Sequence, residues 1–100
     1  MIKVEIKKEQ GFYKSIFVTG HAMYEDIGKD IVCSAVSSIV ITTVNGILSL
    51  ENDTITYTKN EKGLYLEVLK ESKLTNTLLD NMISLLKELE KKYRRNIQIK

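Results

Sequence analysis

Proline and tryptophan are absent from this chain of 100 residues, and cysteine and histidine each occur only once. The lack of proline favours uninterrupted helices and strands and argues against a proline-rich linker. A single cysteine cannot form an intramolecular disulfide, and one cysteine with one histidine falls short of the ligands of a structural zinc site. The sequence also contains no glycine-rich phosphate loop. We therefore expect neither a metal nor another cofactor.

Length and charge narrow the class of protein further. A chain of this length is the size of one domain, so we predict a single domain over residues 1–100. The 15 basic and 13 acidic residues give a net charge of +2, which is too slight to imply a nucleic-acid partner by itself. The first residues alternate between apolar and charged side chains and do not resemble a secretory signal. We therefore expect a cytoplasmic, reduced protein.

Five segments have the composition and spacing of β-strands. Ile2, Val4 and Ile6 alternate with charged residues, as in a half-buried strand. A turn over residues 9–11 joins this segment to the β-branched and aromatic run Phe12–Thr19, which predicts a hairpin. Residues 53–58 and 64–70 are predicted to form a second hairpin. A short last strand is predicted around Ile97 and Ile99.

The segment Ile31–Leu50 contains no charged residue. It is long enough to cross a membrane, and its many Val and Ile residues would also suit buried strands. Its serine, threonine and asparagine residues and its strand-like flanks argue against a membrane span. Asp30 as N-cap and the length of the segment favour a buried helix over strands. A helix that is apolar nearly all round is covered on more than one side. We therefore expect a sheet on one face of this helix and a partner subunit on another.

A second helix is predicted over about Thr75–Tyr93. Its apolar residues recur at helical spacing, and basic residues crowd its C-terminal end. The stripe comprises Leu78, Met82, Leu85, Leu86, Leu89 and Tyr93. The order of elements is then β-β-α-β-β-α-β, which predicts an α+β domain with two helices packed on a mixed or antiparallel sheet.

Cys33 and His21 form the candidate catalytic constellation. With Asp30 as N-cap, Cys33 is the third helical residue, where exposed N–H groups and the helix dipole stabilise an anion such as a thiolate. The dipole supplies about 0.3–1 kcal/mol, and each unit of pKa depression requires about 1.4 kcal/mol. A second cation is therefore needed, and His21 is the only histidine. A nucleophile and a base at this spacing point to acyl transfer, hence hydrolysis of an amide or ester.

Simpler interpretations of the same residues stay open at this stage. Cys33 could be an inert buried cysteine, and His21 could merely end a strand in a polar loop. Asp30 could orient His21, although capping is the better interpretation because a carboxylate beside a thiol opposes thiolate formation. Ser37, one turn beyond Cys33, could face the same site or could be a helix-surface hydroxyl.

At these residues the sequence resembles a known family. Gly20-His21-Ala22, then Gly28, then the run from Asp30 to Ser37 resembles the signature of the ribosomal-processing cysteine proteases, including the twelve-position step from His21 to Cys33. The order of elements is similar to that family over essentially the whole chain. Met23 stands where that signature commonly has glycine, and Ser34 stands where alanine is common.

The resemblance implies a cytosolic endopeptidase that removes the N-terminal extension of a large-subunit ribosomal protein (L twenty-seven). By this resemblance His21 and Cys33 are the catalytic pair, and Asp30 and Ser37 have supporting roles. Gly20, Ala22 and Gly28 would belong to the loop that meets the substrate. The resemblance also implies a homodimer, with no membrane partner and no direct contact with nucleic acid required.

Two other functions compete with the protease. The basic segment Lys91–Arg95 supports a non-catalytic ribosome- or RNA-binding module, although a solvated cationic helix end has the same composition. A reactive cysteine would also suit a thiol redox sensor, but this chain has no second cysteine to resolve the oxidised thiol.

Overall fold

The computed structural model describes residues 1–20 and 31–100 of the chain. Two helices and five strands follow one another in the order β-β-α-β-β-α-β. The elements are β1 (Ile2–Glu9), β2 (Phe12–Thr19), α1 (Ile31–Leu50), β3 (Ile55–Asn60), β4 (Gly63–Val68), α2 (Lys73–Lys92) and β5 (Ile97–Ile99). This confirms the predicted α+β fold, including the two helices packed on a mixed sheet.

The strands form one five-stranded sheet in the order β3-β4-β2-β1-β5. Three of the four strand pairs are antiparallel, and β5 lies parallel to β1 at the edge of the sheet. The parallel pair is possible because α2 carries the chain back along the sheet before β5 begins. The sheet is therefore mixed.

One face of the sheet is apolar and supports both helices. The paired residues Val4, Val18 and Leu64 lie in one row across the three central strands, and all are buried. The opposite face is largely polar, but the cross-strand neighbours Phe17 and Tyr65 form an edge-to-face ring pair there, 5.6 Å between centroids. The period-2 alternation in the sequence therefore corresponds to a two-layer domain with the helices on one side.

A β-bulge changes which face the start of β2 presents. The register passes from Lys7 opposite Ser15 to Lys8 opposite Tyr13, so Lys14 is an additional residue in β2. Tyr13 is consequently buried, and its hydroxyl donates a hydrogen bond of 2.6 Å to Asp80 on α2. The Tyr13 backbone N–H donates to Asn76 on the same helix, 2.9 Å away. The bulge thus anchors the first hairpin to α2.

Helix α1 supplies one apolar stripe to the core. Its buried side chains are Val32, Cys33, Val36, Val40, Val44 and Ile47. By length and composition α1 could cross a membrane, but the core helix of a globular domain has the same properties. Here α1 packs against α2 and the sheet. Its remaining surface is uncharged, and Ile31, Leu48 and Leu50 are exposed on it.

Helix α2 differs in detail from its prediction. It begins at Lys73 rather than Thr75, because the Ser72 side chain accepts a hydrogen bond from the Thr75 N–H and caps the helix. The predicted stripe was wrong at Leu85, which is 41% exposed. The buried stripe is instead Thr75, Leu79, Met82, Ile83 and Leu86. Because helical spacing allows several neighbouring stripes in a leucine-rich helix, only the packing decides between them.

Polar groups between the layers are mostly paired. The buried hydroxyls of Thr54 and Thr75 lie 2.7 Å apart and join the start of β3 to the first turn of α2. Among the described residues, the Tyr57 hydroxyl is the one buried side-chain group without a hydrogen-bond partner. Burial raises the pKa of Tyr57, so this phenol stays neutral at physiological pH.

Candidate active site

The candidate site lies at one end of the sheet, where β2 ends and β4 begins. Thr19 at the end of β2 pairs with Gly63 at the start of β4, and Gly20 follows directly. The first residues of the chain meet the same end, because Lys3 pairs with Thr19 on the other side of β2. Three adjacent strands therefore converge where the connection from β2 to α1 begins.

The N-terminus of α1 lies at this same end of the molecule. The C-terminus of α1 lies at the opposite end, because β3 begins a few residues later in the chain. At that end, Thr54 before β3 accepts a backbone hydrogen bond from the N–H of Leu69, which follows β4. A helix of 20 residues is about 30 Å long. The molecule measures 36 × 23 × 19 Å, so α1 has to run along its longest dimension. The first turn of α1 is thereby placed at the end that carries Gly20.

Cys33 is the third residue of α1 and belongs to the buried core cluster. Its neighbours Val32 and Val36 are buried on the same stripe and fix the rotation of the helix about its axis. The Cys33 side chain is therefore directed inward, and the residue is 8% exposed. The position agrees with the prediction: a sulfur in the first helical turn, where backbone N–H groups lack intrahelical acceptors.

Ser37 lies one turn beyond Cys33 and is half-buried. Its place on α1 is therefore on the flank nearest the Cys33 stripe and not on the fully exposed surface. The other predicted site residues, His21, Ala22, Gly28 and Asp30, lie outside the described residues. Their roles, including Asp30 as the N-cap of α1, stay predictions.

Gly20 has a backbone conformation that requires glycine. Its φ of +73° is in the left-handed region, and an added Cβ would overlap the carbonyl oxygen of Met1. Gly63 on the neighbouring strand is similar, because a Cβ there would overlap the Val18 carbonyl oxygen. Sequence reasoning assigned Gly20 to the loop but missed its contact with Met1. No local pattern signals that contact, because it depends on how β1 and β2 pair.

No cluster of three or more metal-ligating side chains occurs within the described ranges. The two ion pairs found there, Lys14 with Glu71 and Lys70 with Asp53, join residues of the opposite end of the sheet. Among the described residues, this end of the molecule presents the thiol of Cys33 in the first turn of α1.

Residues 1–98 match the family model described as cysteine protease Prp. The ribosomal processing cysteine protease Prp of Staphylococcus aureus is 29% identical over 103 residues, which cover 99% of this chain and 97% of that relative. The protein of the same name from Mycoplasma genitalium is 39% identical over 61 residues, or 61% of this chain and 54% of that relative.

Solved structures share the fold. The S. aureus protease with a covalently linked product peptide has a TM-score of 0.88 at 24% identity and covers 99% of this chain and 97% of its own. The same enzyme with a substrate peptide also has a TM-score of 0.88, with coverage of 100% and 98%. A protein from Streptococcus mutans has a TM-score of 0.84 at 24% identity, with coverage of 100% and 92%.

The tight packing at Gly20 can be tested against a matched glycine. Gly11 also has a positive φ, +84°, but no atom lies within 4 Å of an added Cβ. We expect Gly11→Ala to lower the free energy of unfolding by about 1–2 kcal/mol, the cost of a left-handed backbone with a side chain. Gly20→Ala should lower it further because Met1 must also move. Urea denaturation measures both, and equal losses would contradict a close contact at Gly20.

Proposed function

This chain belongs to the cysteine protease Prp family, and from that membership we propose that Cys33 is its nucleophile and His21 its general base and acid. The family match spans residues 1–98 and makes the chain a cysteine protease. A thiol redox sensor and a non-catalytic binding module are therefore set aside as its primary function. Because the chain contains only one cysteine, Cys33 is the only residue that can serve as the thiol nucleophile.

The place of Cys33 in the first turn of α1 supports this role. A free thiol has a pKa of about 8.5, and helix N-termini and a neighbouring imidazolium stabilise the thiolate. The helix alone supplies about 0.3–1 kcal/mol, less than the ~1.4 kcal/mol that one pKa unit requires. The remainder needs a cation, and the only histidine follows Gly20 directly in the chain. An imidazolium from His21 would complete the ion pair.

The reaction then proceeds by acyl transfer. The Cys33 sulfur attacks the scissile carbonyl, and the carbonyl oxygen takes up the negative charge of the tetrahedral intermediate. Backbone N–H groups in the first turn of α1 are donors for that oxyanion. His21 gives its proton to the leaving amine and then takes one from the water that hydrolyses the thioester. Asp30 as N-cap and Ser37 on the neighbouring turn would hold the start of the helix in place.

The substrate we propose is the N-terminal extension of a large-subunit ribosomal protein (L twenty-seven). Its support is the description of the S. aureus and M. genitalium relatives as ribosomal processing proteases. An extension of this kind can bind as an extended strand between the segment around Gly20, Ala22 and Gly28 and the start of α1. A ribosomal substrate also places the enzyme in the cytoplasm.

Cleavage of a peptide that spans the extension of the cognate ribosomal protein tests this proposal. We expect Cys33→Ala to lower the rate at least about 10⁴-fold, because no other side chain can form the thioester. His21→Ala should lower it about 10²–10⁴-fold through loss of proton transfer. The control is Ser84→Ala, an exposed serine of α2 outside the proposed site, which should cut at the wild-type rate.

The three variants should retain the wild-type circular dichroism spectrum and thermal midpoint to within a few degrees. Normal cutting by Cys33→Ala would exclude the proposed nucleophile. Normal cutting by His21→Ala would point to another base. A wild-type enzyme that hydrolyses unrelated peptides but not the extension would refute the substrate and leave the catalytic pair in place.

We further propose that the protein is a homodimer that uses the outer surface of α1. All twenty residues of α1 are uncharged, although its outward positions are exposed in a single chain. Small polar side chains follow this surface at helical spacing, so a second helix could approach closely. These residues are Ser34, Ser38, Thr42, Asn45 and Ser49. A solvated helix ordinarily carries charges on such a face.

Two matched substitutions test the dimer. Leu48 on α1 is 37% exposed and Leu85 on α2 is 41% exposed, so aspartate costs the single chain about the same at either position. We expect Leu48→Asp to weaken the dimer at least about tenfold because it buries a charge in the interface. Leu85→Asp should leave the association unchanged. Sedimentation equilibrium measures the dissociation constant, and equal effects of the two variants would contradict an α1 interface.

A further inference from the structure

The positive charge of this protein is concentrated at its C-terminal end. Residues 87–100 contain six basic and two acidic side chains, whereas residues 1–86 contain nine basic and eleven acidic ones. The overall charge of +2 is therefore the sum of a net positive charge in residues 87–100 and a net negative charge in residues 1–86. The six basic side chains, here called the basic cluster, are Lys87, Lys91, Lys92, Arg94, Arg95 and Lys100, and all six residues are exposed.

Helix capping accounts for only part of this cluster. Cations in the last turn of a helix complement its dipole, and Lys91 and Lys92 lie in the last turn of α2. Arg94 and Arg95 lie beyond the helix, whose C-cap is Tyr93. These two arginines therefore contribute nothing that the helix itself requires.

The turn that carries the two arginines is well defined. The N–H groups of Asn96 and Ile97 both donate to the Tyr93 carbonyl oxygen, at 2.9 and 3.3 Å. Ile97 is buried and begins β5, which anchors the far side of the turn. Arg94 and Arg95 are thus presented from a fixed backbone, which lowers the entropic cost of binding a ligand.

The basic cluster forms no ion pair within the described part of the chain, although Asp80 and Glu88 line one surface depression with Lys87 and Lys91. The ion pairs found there, Lys14 with Glu71 and Lys70 with Asp53, involve none of the six residues. Glu90 on α2, which lines the same groove as Arg94, accepts a hydrogen bond of 2.7 Å from the Ile99 N–H. That hydrogen bond fastens β5 to α2, and neither Arg94 nor Arg95 takes part in an ion pair with a described residue.

A groove runs beside these residues. Its volume is about 370 Å³, and it is lined by Met1, Glu90, Lys91, Arg94, Ile97 and Gln98. This is within the usual size of a small-ligand cleft. Met1 also packs against Gly20, so the groove adjoins the end of the sheet that carries the candidate active site. A ligand held here would lie near the end of β2.

We infer that the basic cluster binds the phosphodiester backbone of RNA. Guanidinium groups bind phosphate through paired hydrogen bonds, and exposed lysines add sequence-independent attraction. The choice of RNA over other polyanions rests on the proposed function, because a protease that acts on a ribosomal protein works beside ribosomal RNA. Binding would hold the enzyme on the particle while the extension enters the active site.

Fluorescence anisotropy with a labelled single-stranded uridine 12-mer tests this inference. All proteins should carry Cys33→Ala, so that binding is measured independently of cleavage. We expect Arg94→Gln/Arg95→Gln to weaken RNA binding about tenfold in 50–100 mM salt and to reduce the slope of log K against log salt by roughly 1–2. The control is Lys7→Gln/Lys73→Gln, which removes the same charge from exposed residues outside the cluster and should bind within about twofold.

A polyglutamate peptide of the same charge serves as competitor. If it displaces the RNA at equal charge concentration, the site takes acidic peptides and the assignment to RNA is wrong. Undetectable RNA binding, or equal loss in both double variants, also overturns the inference. In the protein that retains Cys33, the double substitution Arg94→Gln/Arg95→Gln should leave the rate of cleavage of the short extension peptide unchanged. A failed RNA experiment therefore leaves the proteolytic assignment untouched.

Discussion

The architecture depends on the burial of α1, a helix of twenty residues without a charge. Five aliphatic side chains and Cys33 lie on its buried stripe, and each aliphatic one contributes about 1.5–3 kcal/mol when removed from water. All six side chains of that stripe can be buried together in only one rotation of α1 about its axis. The rotation that buries Val32 and Val36 also directs Cys33 inward, so the packing that stabilises the domain sets the position of the proposed nucleophile.

Much of the fold can be predicted from the sequence because local sequence patterns identify most of its helices and strands. Alternation around Val4 and the β-branched run of β2 each allow one main interpretation. The uncharged segment of α1 allows three, and its length and polar residues favour the helix. Where neighbouring solutions have similar local energy, prediction failed. Leu85 and Ile83 both suit an apolar stripe on α2, and only the tertiary packing of the helix decides that Ile83 is buried and Leu85 is exposed. The bulge at Lys14 is likewise a property of the pairing of β1 with β2.

Only part of the candidate site could be predicted, because some of its features depend on local sequence and others on tertiary contacts. Cys33 at the start of a helix follows from helix-start signals and from the resemblance to a family, and α1 begins where those signals place it. The constraint on Gly20 could not be predicted, because it arises from the Met1 carbonyl on the adjacent strand. Both features meet at one end of the sheet, and the basic cluster adjoins that end. The domain therefore has a buried thiol and an exposed basic surface.

The pH dependence of alkylation at Cys33 tests the central claim most directly. Iodoacetamide reacts with the thiolate, so its rate constant, followed by mass spectrometry, reports thiolate formation at the only cysteine of the chain. An activated Cys33 predicts an inflection well below the ordinary thiol value of about 8.5 and a shift back towards it in His21→Ala. An inflection near 8.5 in both proteins would contradict a thiolate stabilised by the helix N-terminus and His21.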